Sequence, residues 1–191
     1  MAAEPALTVR ERLIRTGIEE LSIHGIQDFS VRRVASACGV SCAAPYKHFE
    51  DRNRFIADII EYVIHLWETY IPEVIAKYPN DLRTQLTEIS VRYVHFLVEN
   101  SHFRSIIMLK DPDFDQQYSN LRHRLSSTSR SLIREYAKSV HMPEQVMTYK
   151  LYVVRSLIYG AALMFDNGEM EYNEENMEFV RRAISREFEL P

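Results

Sequence analysis

Three observations predict an all-α fold for this chain of 191 residues. Glycine and proline are scarce, at 5 and 7 residues. The polar stretches are rich in Glu, Arg, Gln and Lys, which favour helix. Apolar residues recur at helical intervals instead of alternating with polar ones. The length suffices for a small domain joined to a larger one, with a core that needs no metal or disulfide.

The first helix places Val9, Leu13, Ile14, Gly17, Ile18 and Leu21 on one face and stops at His24-Gly25. Ser30 is the expected N-cap of a short second helix over 31–38, with Val34 and Ala35 turned inward. Gly39-Val40-Ser41 predicts a tight turn, after which Ser41 is expected to cap a third short helix through His48. Asp51 caps a long fourth helix carrying Phe55, Ile59, Tyr62, Val63, Leu66, Trp67 and Tyr70, which Pro72 ends or kinks. Pro79-Asn80 marks a loop and Asp81 a new N-cap. Further helical patterns run over 82–99, 102–110, 114–140, 144–166 and 174–188. Ser101, Asp111-Pro112-Asp113, Pro143, Asn167-Gly168 and Asn173 punctuate them.

No stretch approaches the roughly 18 apolar residues of a membrane span, and Met1 to Pro5 lacks the basic and apolar parts of a signal peptide. A soluble, cytoplasmic protein without a membrane partner is expected. Cys38 and Cys42 are too few for a disulfide framework or a structural zinc site, so neither metal nor cofactor is expected. Paired Glu-x-x-His motifs, a nucleophile elbow and a phosphate loop are all missing, which speaks against an enzyme. The formal charge of −4 argues against indiscriminate nucleic-acid binding, and residues 1–55 hold eight Lys/Arg against seven Asp/Glu. Charge alone does not suggest DNA.

The spacing of the second to fourth helices does. Two short helices joined by a glycine-containing turn and followed by a long helix form the pattern of a DNA-binding helix-turn-helix. Helix starts at Ser30, Ser41 and Asp51 would present unpaired N–H groups to phosphates. Arg32, Arg33, Tyr46, His48 and Arg52 are able to donate to phosphate oxygens. Base reading falls to the start of the third helix: Ser41, Cys42, Ala43 and Lys47. Lys47 suits guanine O6 and N7, and the methyls of Ala43 or Ala44 suit a thymine methyl. The plainer alternatives are solvated arginines and packed Tyr46 and His48. Cys38 is read as core. Cys42 is read as an exposed neutral reader, with a redox sensor as the alternative.

Residue identities sharpen the pattern. His24-Gly25, Ser30-Val31-Arg32, Val34-Ala35, Gly39-Val40-Ser41 and Tyr46-Lys47-His48-Phe49 resemble the N-terminal motif of the TetR family of transcriptional regulators without a gap, over residues 9–56. The resemblance implies a helix-turn-helix DNA-binding domain over 1–50 and a helical effector-binding and dimerisation domain over 51–191. It also implies a homodimeric repressor on a pseudo-palindromic double-stranded operator, released by a small-molecule effector. In the family, the positions matching Tyr46, His48 and Arg52 contact the DNA backbone. Arg33 departs from the acidic residue usual at its position, and Pro45 from a larger aliphatic. Pro45 removes an N–H and biases Ala44 toward extended geometry, so the first turn of the third helix is expected to tighten.

Trp67, Tyr70, Tyr93, Phe96, Phe103, Met108, Tyr118 and Tyr152 are aromatic and thioether groups of the kind that line apolar pockets, with core packing as the alternative. All but Tyr118 are taken as the candidate effector pocket. His95 and His123 are read as satisfied or surface histidines. Val153, Ser156, Leu157, Gly160, Ala161 and Met164 form a stripe with small members, and Met177, Val180, Ile184 and Phe188 form a second. Both are assigned to a four-helix dimer interface, with intramolecular packing as the alternative. A different use of the C-terminal bundle is docking of a protein partner in place of an effector.

Overall fold

Thr8 opens the first helix with a reciprocal pair of bonds. Its Oγ1 accepts from the Glu11 N–H at 3.2 Å, and the Glu11 carboxylate accepts from the Thr8 N–H at 2.8 Å, a capping box that satisfies two orphan donors. Helix α1 (Val9–His24) buries Leu13, Ile14, Gly17, Ile18 and Leu21 and ends at Gly25, whose φ of +71° suits glycine. The computed structural model describes residues 7–108, 111–124 and 127–189, the side chains of Ser105, Met108, Arg122 and His123 excepted. After α1 come α2 (Val31–Ala37), a short 3₁₀ turn η1 (Pro45–Lys47), α3 (Arg52–Glu68), α4 (Ile71–Lys77) and α5 (Leu82–Glu99). They are followed by α6 (Ser101–Met108), α7 (Pro112–Gln117), α8 (Ser119–Arg124), α9 (Ser127–Ser139), α10 (Glu144–Asp166) and α11 (Glu174–Glu189). No strand occurs among the described residues.

Two expected elements differ. The helix predicted from Ser41 to His48 is a loop closed by η1, because its bonds are mostly of the i to i+3 kind: Ala44 N–H to Ser41 O at 2.9 Å, Lys47 N–H to Ala44 O at 3.1 Å, and His48 N–H to Pro45 O at 2.9 Å, with one i to i+4 bond from Phe49 N–H to Pro45 O at 2.9 Å. Pro45 supplies no N–H, so the tightening expected of it takes over most of the element. The single helix predicted over 114–140 is divided among α7, α8 and α9. Tyr118 breaks it first, at φ −120° and ψ 35°. Hydroxyl and amide side chains at Ser119, Asn120, Ser127 and Thr128 compete with the backbone for bonds; Ser127 Oγ donates to Arg124 O at 2.8 Å. Pro72 sits in the first turn of α4, after α3 has ended at Glu68.

The chain forms two compact units. The first gathers residues up to His65 with His102–Arg122; the second gathers Leu66–Ser101 with His123 onward. In the first unit, α1 and α3 meet at Gly17, where a Cβ would lie 2.6 Å from Ile59 Cδ1, so a larger residue there would require the end of the Ile59 side chain to shift. Phe49 stacks on Phe55 at 3.9 Å and Phe29 meets Phe55 edge-on at 5.4 Å, closing a core with Leu13, Ile14, Leu21, Val34 and Ile59. Asp58, nearly buried, takes Arg10 at 2.6 Å and Arg54 at 2.7 Å.

In the second unit, α5 packs against α4, α9, α10 and α11. The last turn of α11 is held from two helices. Buried Lys150 of α10 donates to Glu187 O at 2.7 Å, and Tyr136 of α9 donates to Phe188 O at 2.8 Å, so carbonyls orphaned at the helix end are satisfied.

Candidate nucleic-acid interface

The segment from Ser30 to Arg52 is built on three anchors. Ser30 Oγ accepts from the Arg33 N–H at 3.3 Å and starts α2. Gly39, at φ +66°, turns the chain after α2. Pro45 and Phe49 are then buried, which leaves the residues between and before them outward. Ser41, Cys42, Ala43, Tyr46, Lys47 and His48 are all exposed, with Ala44 half-buried and Arg32 exposed on α2. Tyr46 shows 57% of its surface, a large value for an aromatic side chain on a folded domain. The side chains of Arg32, Tyr46 and Lys47 form no hydrogen bond or ion pair with other described residues. Cys38 is half-buried with its thiol 3.2 Å from Thr16 Oγ1, and Cys42 is exposed.

Three residues expected at the interface have local surroundings that the sequence did not predict. Ser41 caps no helix, since η1 begins after Ala44 and has no side-chain cap. Arg33 closes on Glu20 of α1, through its Nε at 2.8 Å and through NH2, and donates to Asp28 O at 2.6 Å. Arg52 donates to Phe29 O at 3.1 Å, to Gln27 O at 2.8 Å and to Ile26 O. Both guanidiniums therefore grip the α1–α2 loop. Glu20 completes the clasp by accepting from Ser30 N–H at 3.0 Å. Burial pushes the Glu20 carboxyl up, but bonds from Arg33 and Ser30, with the charges of Arg33 and His24, outweigh it and hold it below the usual carboxylate range.

Of the expected effector residues, four come together. Trp67 lies 4.6 Å from Tyr93, 5.5 Å from Phe96 and 6.3 Å from Tyr70, and Arg92 stacks over Tyr70 at 4.1 Å. Trp67 is 2% and Phe96 1% exposed. Burial and the hydroxyl of Tyr159 drive the Tyr93 phenol far above its ordinary range. Phe103 belongs to the other compact unit and is half-buried there. The side chain of Met108 lies outside the described residues. Tyr152 is 71% exposed and stands on the side of α10 away from buried Val154, Ile158 and Phe165.

The two stripes expected at a dimer interface differ in their burial within the protomer. Met177, Val180, Ile184 and Phe188 are buried within the protomer, where α11 packs on α5 and α10. Ala161 is buried as well, whereas Val153, Leu157 and Gly160 are half-exposed and Ser156 and Met164 exposed. The apolar face left outward on α10 runs through Tyr149, Tyr152, Leu163 and Met164, with Phe179 exposed on α11. Tyr149, Leu163 and Phe179 were missed. Their signal is a second apolar stripe on α10, beside the one through Val154, Ile158, Ala162 and Phe165, because a helix apolar on two sides has two surfaces to cover.

No family model matches the chain, and no curated protein matches it in sequence. Solved structures do. The chain superposes on a TetR family transcription regulator from Marinobacter aquaeolei with a TM-score of 0.74 at 17% identity, covering 93% of this chain and 94% of that one. For the TetR family regulator PfmR from Thermus thermophilus the TM-score is 0.68 at 18% identity, covering 96% of each chain. For AmtR from Mycobacterium smegmatis it is 0.68 at 17% identity, covering 100% of this chain and 91% of that one. The chain has the fold of the TetR-family transcription regulators.

Proposed function

We propose, proceeding from this fold, that the protein is a dimeric, sequence-specific DNA-binding transcriptional regulator, and that it acts as a repressor released from its operator by a small-molecule effector. The observation that carries the DNA reading is the exposed run Ser41–Ala43 and Tyr46–His48, braced from beneath by buried Pro45 and Phe49. A polar row presented by a rigid turn suits a groove. Tyr46, His48 and Arg32 are assigned to phosphates; Lys47, Ser41, Cys42, Ala43 and Ala44 are assigned to base edges. Arg33 and Arg52 are reassigned to holding the loop beneath them. The test is to sequence genomic fragments retained by the purified protein. A recurring pseudo-palindrome supports this function, and fragments without a shared motif overturn it.

Dimerisation is assigned to the outward face of α10 and Phe179, because an exposed row of Tyr149, Tyr152, Leu163 and Met164 needs cover in water. The effector is assigned to the second unit, beside Trp67, Tyr70, Tyr93 and Phe96. A ligand entering there must part Trp67 from Tyr93 and so change the emission of the only tryptophan. The same exposed row favours a second reading, in which a protein partner docks on the bundle. A chain that is dimeric by ultracentrifugation supports the first, and a monomer that binds its operator only with a second protein supports the other.

A further inference from the structure

We propose that a groove between α5 and the start of α11 is a binding site for a small organic ammonium ion, separate from the Trp67 cluster. The groove has a volume of about 640 Å³ and is lined by His95, Tyr172, Asn173, Glu174, Met177, Glu178 and Arg181, a size suited to a small molecule.

The hydrogen-bond inventory decides the charge of the ligand. Tyr172 Oη donates to Glu99 Oε1 at 3.0 Å, and it stands 2.5 Å from His95 Nδ1. A phenol has one proton and a carboxylate only accepts, so His95 donates its Nδ1–H to Tyr172, and its Nε2 retains a lone pair. Burial pushes the His95 imidazole down, against the opposing pull of Glu99, so the ring is neutral near pH 7. Burial and Glu99 push the Tyr172 phenol up to about 12, so it keeps its proton.

The groove's one arginine is already neutralised. Arg181 pairs with Glu88 through NH1 and with Glu178 through Nε at 3.1 Å, while the other oxygen of Glu178 takes Arg182 at 3.1 Å. The Glu174 carboxylate has no hydrogen-bond or ion-pair partner among the described residues. Among the residues lining the groove, the Glu174 carboxylate and His95 Nε2 have no partner among the described residues, and the half-exposed Tyr172 and the buried Met177 lie beside them. An ammonium group suits Glu174 and His95 by two charge-assisted hydrogen bonds and Tyr172 by a cation–π contact. The dipole of α11 opposes a cation with about half a charge, which the two carboxylates of its first turn, Glu174 and Glu175, exceed. Phe179 lies roughly 130° around α11 from the edge formed by Glu174, Glu178 and Arg181. Pairing of two copies through Phe179 leaves the groove open.

The test uses 2-phenylethylammonium chloride as probe, with 2-phenylethanol and phenylacetate as the neutral and anionic controls. Affinity is read by calorimetry and location by amide chemical shifts. Saturable binding of the ammonium ion is expected, with shifts at residues 95 and 172–178 and affinity on the order of tenfold above either control. Glu174→Gln is expected to lose on the order of tenfold of that affinity with an unchanged melting temperature. Lys138→Ser, at an exposed position on α9, is expected to leave binding intact. No saturable binding, equal binding of 2-phenylethanol, or shifts centred on Trp67 overturns the proposal. The shifts on the unsubstituted protein decide the matter if Glu174→Gln misfolds, and no arm depends on DNA binding.

Discussion

The guanidinium of Arg52, at the first position of α3, donates to the carbonyl of Phe29 at 3.1 Å, across the loop that joins α1 to α2. With Gln27 and Ile26 also accepting, Arg52 gives the loop carbonyls a side-chain donor, which Ile26 O takes beside the Phe29 N–H at 3.3 Å. A residue used in this way fixes the loop that leads into α2.

Arg52→Ala is therefore expected to destabilise the protein by about 1–3 kcal/mol, since carbonyl acceptors lose their donor. The salt dependence of DNA binding by the folded fraction should stay unchanged. Arg32→Ala is expected to do the reverse: stability holds, while the slope of log K against log salt falls by about one per half-site, or about two per dimer. Urea unfolding and titrations at several salt concentrations separate the two arginines. A slope change for Arg52→Ala returns it to the phosphate contacts.

Lys47 closes η1 and is exposed. In a 3₁₀ turn residues three apart share a side, so Ala44 and Lys47 are presented together. Lys47→Ala is expected to lose about 1–3 kcal/mol on the cognate operator and little on scrambled duplex. Equal losses on both make Lys47 a phosphate contact.

Glu20 gives the fold a defined response to acid. Its carboxyl is held below the ordinary range in the folded state, so its contribution is present above the unfolded value of about 4.3. That contribution is lost as pH falls through the lower folded value. Glu20→Gln is expected to cost about 1–3 kcal/mol at pH 7, with the gap between variant and parent closing as pH falls below about 4. Denaturant midpoints from pH 7 down to pH 3 check this; a constant gap shows that Glu20 acts by shape and not by charge.

The periodicity of the sequence located α1, α5, α10 and α11 because each buries a continuous face, as Leu13, Ile14, Ile18 and Leu21 do on α1. Caps were legible for a local reason: Ser30, Asp51 and Asp81 bond a backbone N–H three residues on. The roles of Arg33 and Arg52 were not legible, since their partners outside their own helices lie 5 to 26 residues away and a surface arginine looks the same in sequence whether it faces a phosphate or a carbonyl. Nor does an apolar stripe name its cover. Ile184 and Phe179 are equally apolar, yet the first packs inside the protomer and the second faces out.

That difference yields the last prediction. Ile184 is fully buried and Phe179 is 65% exposed on the same helix, so substitutions at the two positions act on different equilibria. Ile184→Ala removes buried methylenes and is expected to cost about 2–5 kcal/mol of protomer stability. Phe179→Glu removes no internal contact of that kind, and it places a charge where two copies are proposed to meet. Unpaired burial of that charge is prohibitive, so the variant is expected to be a folded monomer. Gly160→Glu tests the same face from α10, where a Cβ meets nothing within 4 Å in the protomer, and is expected to give the same outcome. Sedimentation velocity beside circular dichroism reads both states. Folded dimers for both Phe179→Glu and Gly160→Glu would remove the outward face of α10 and α11 from the dimer interface and leave its apolar row to a different partner. Monomers that keep their helicity but lose operator affinity would tie pairing on this face to DNA binding, because each protomer engages one half-site and loses the avidity of two.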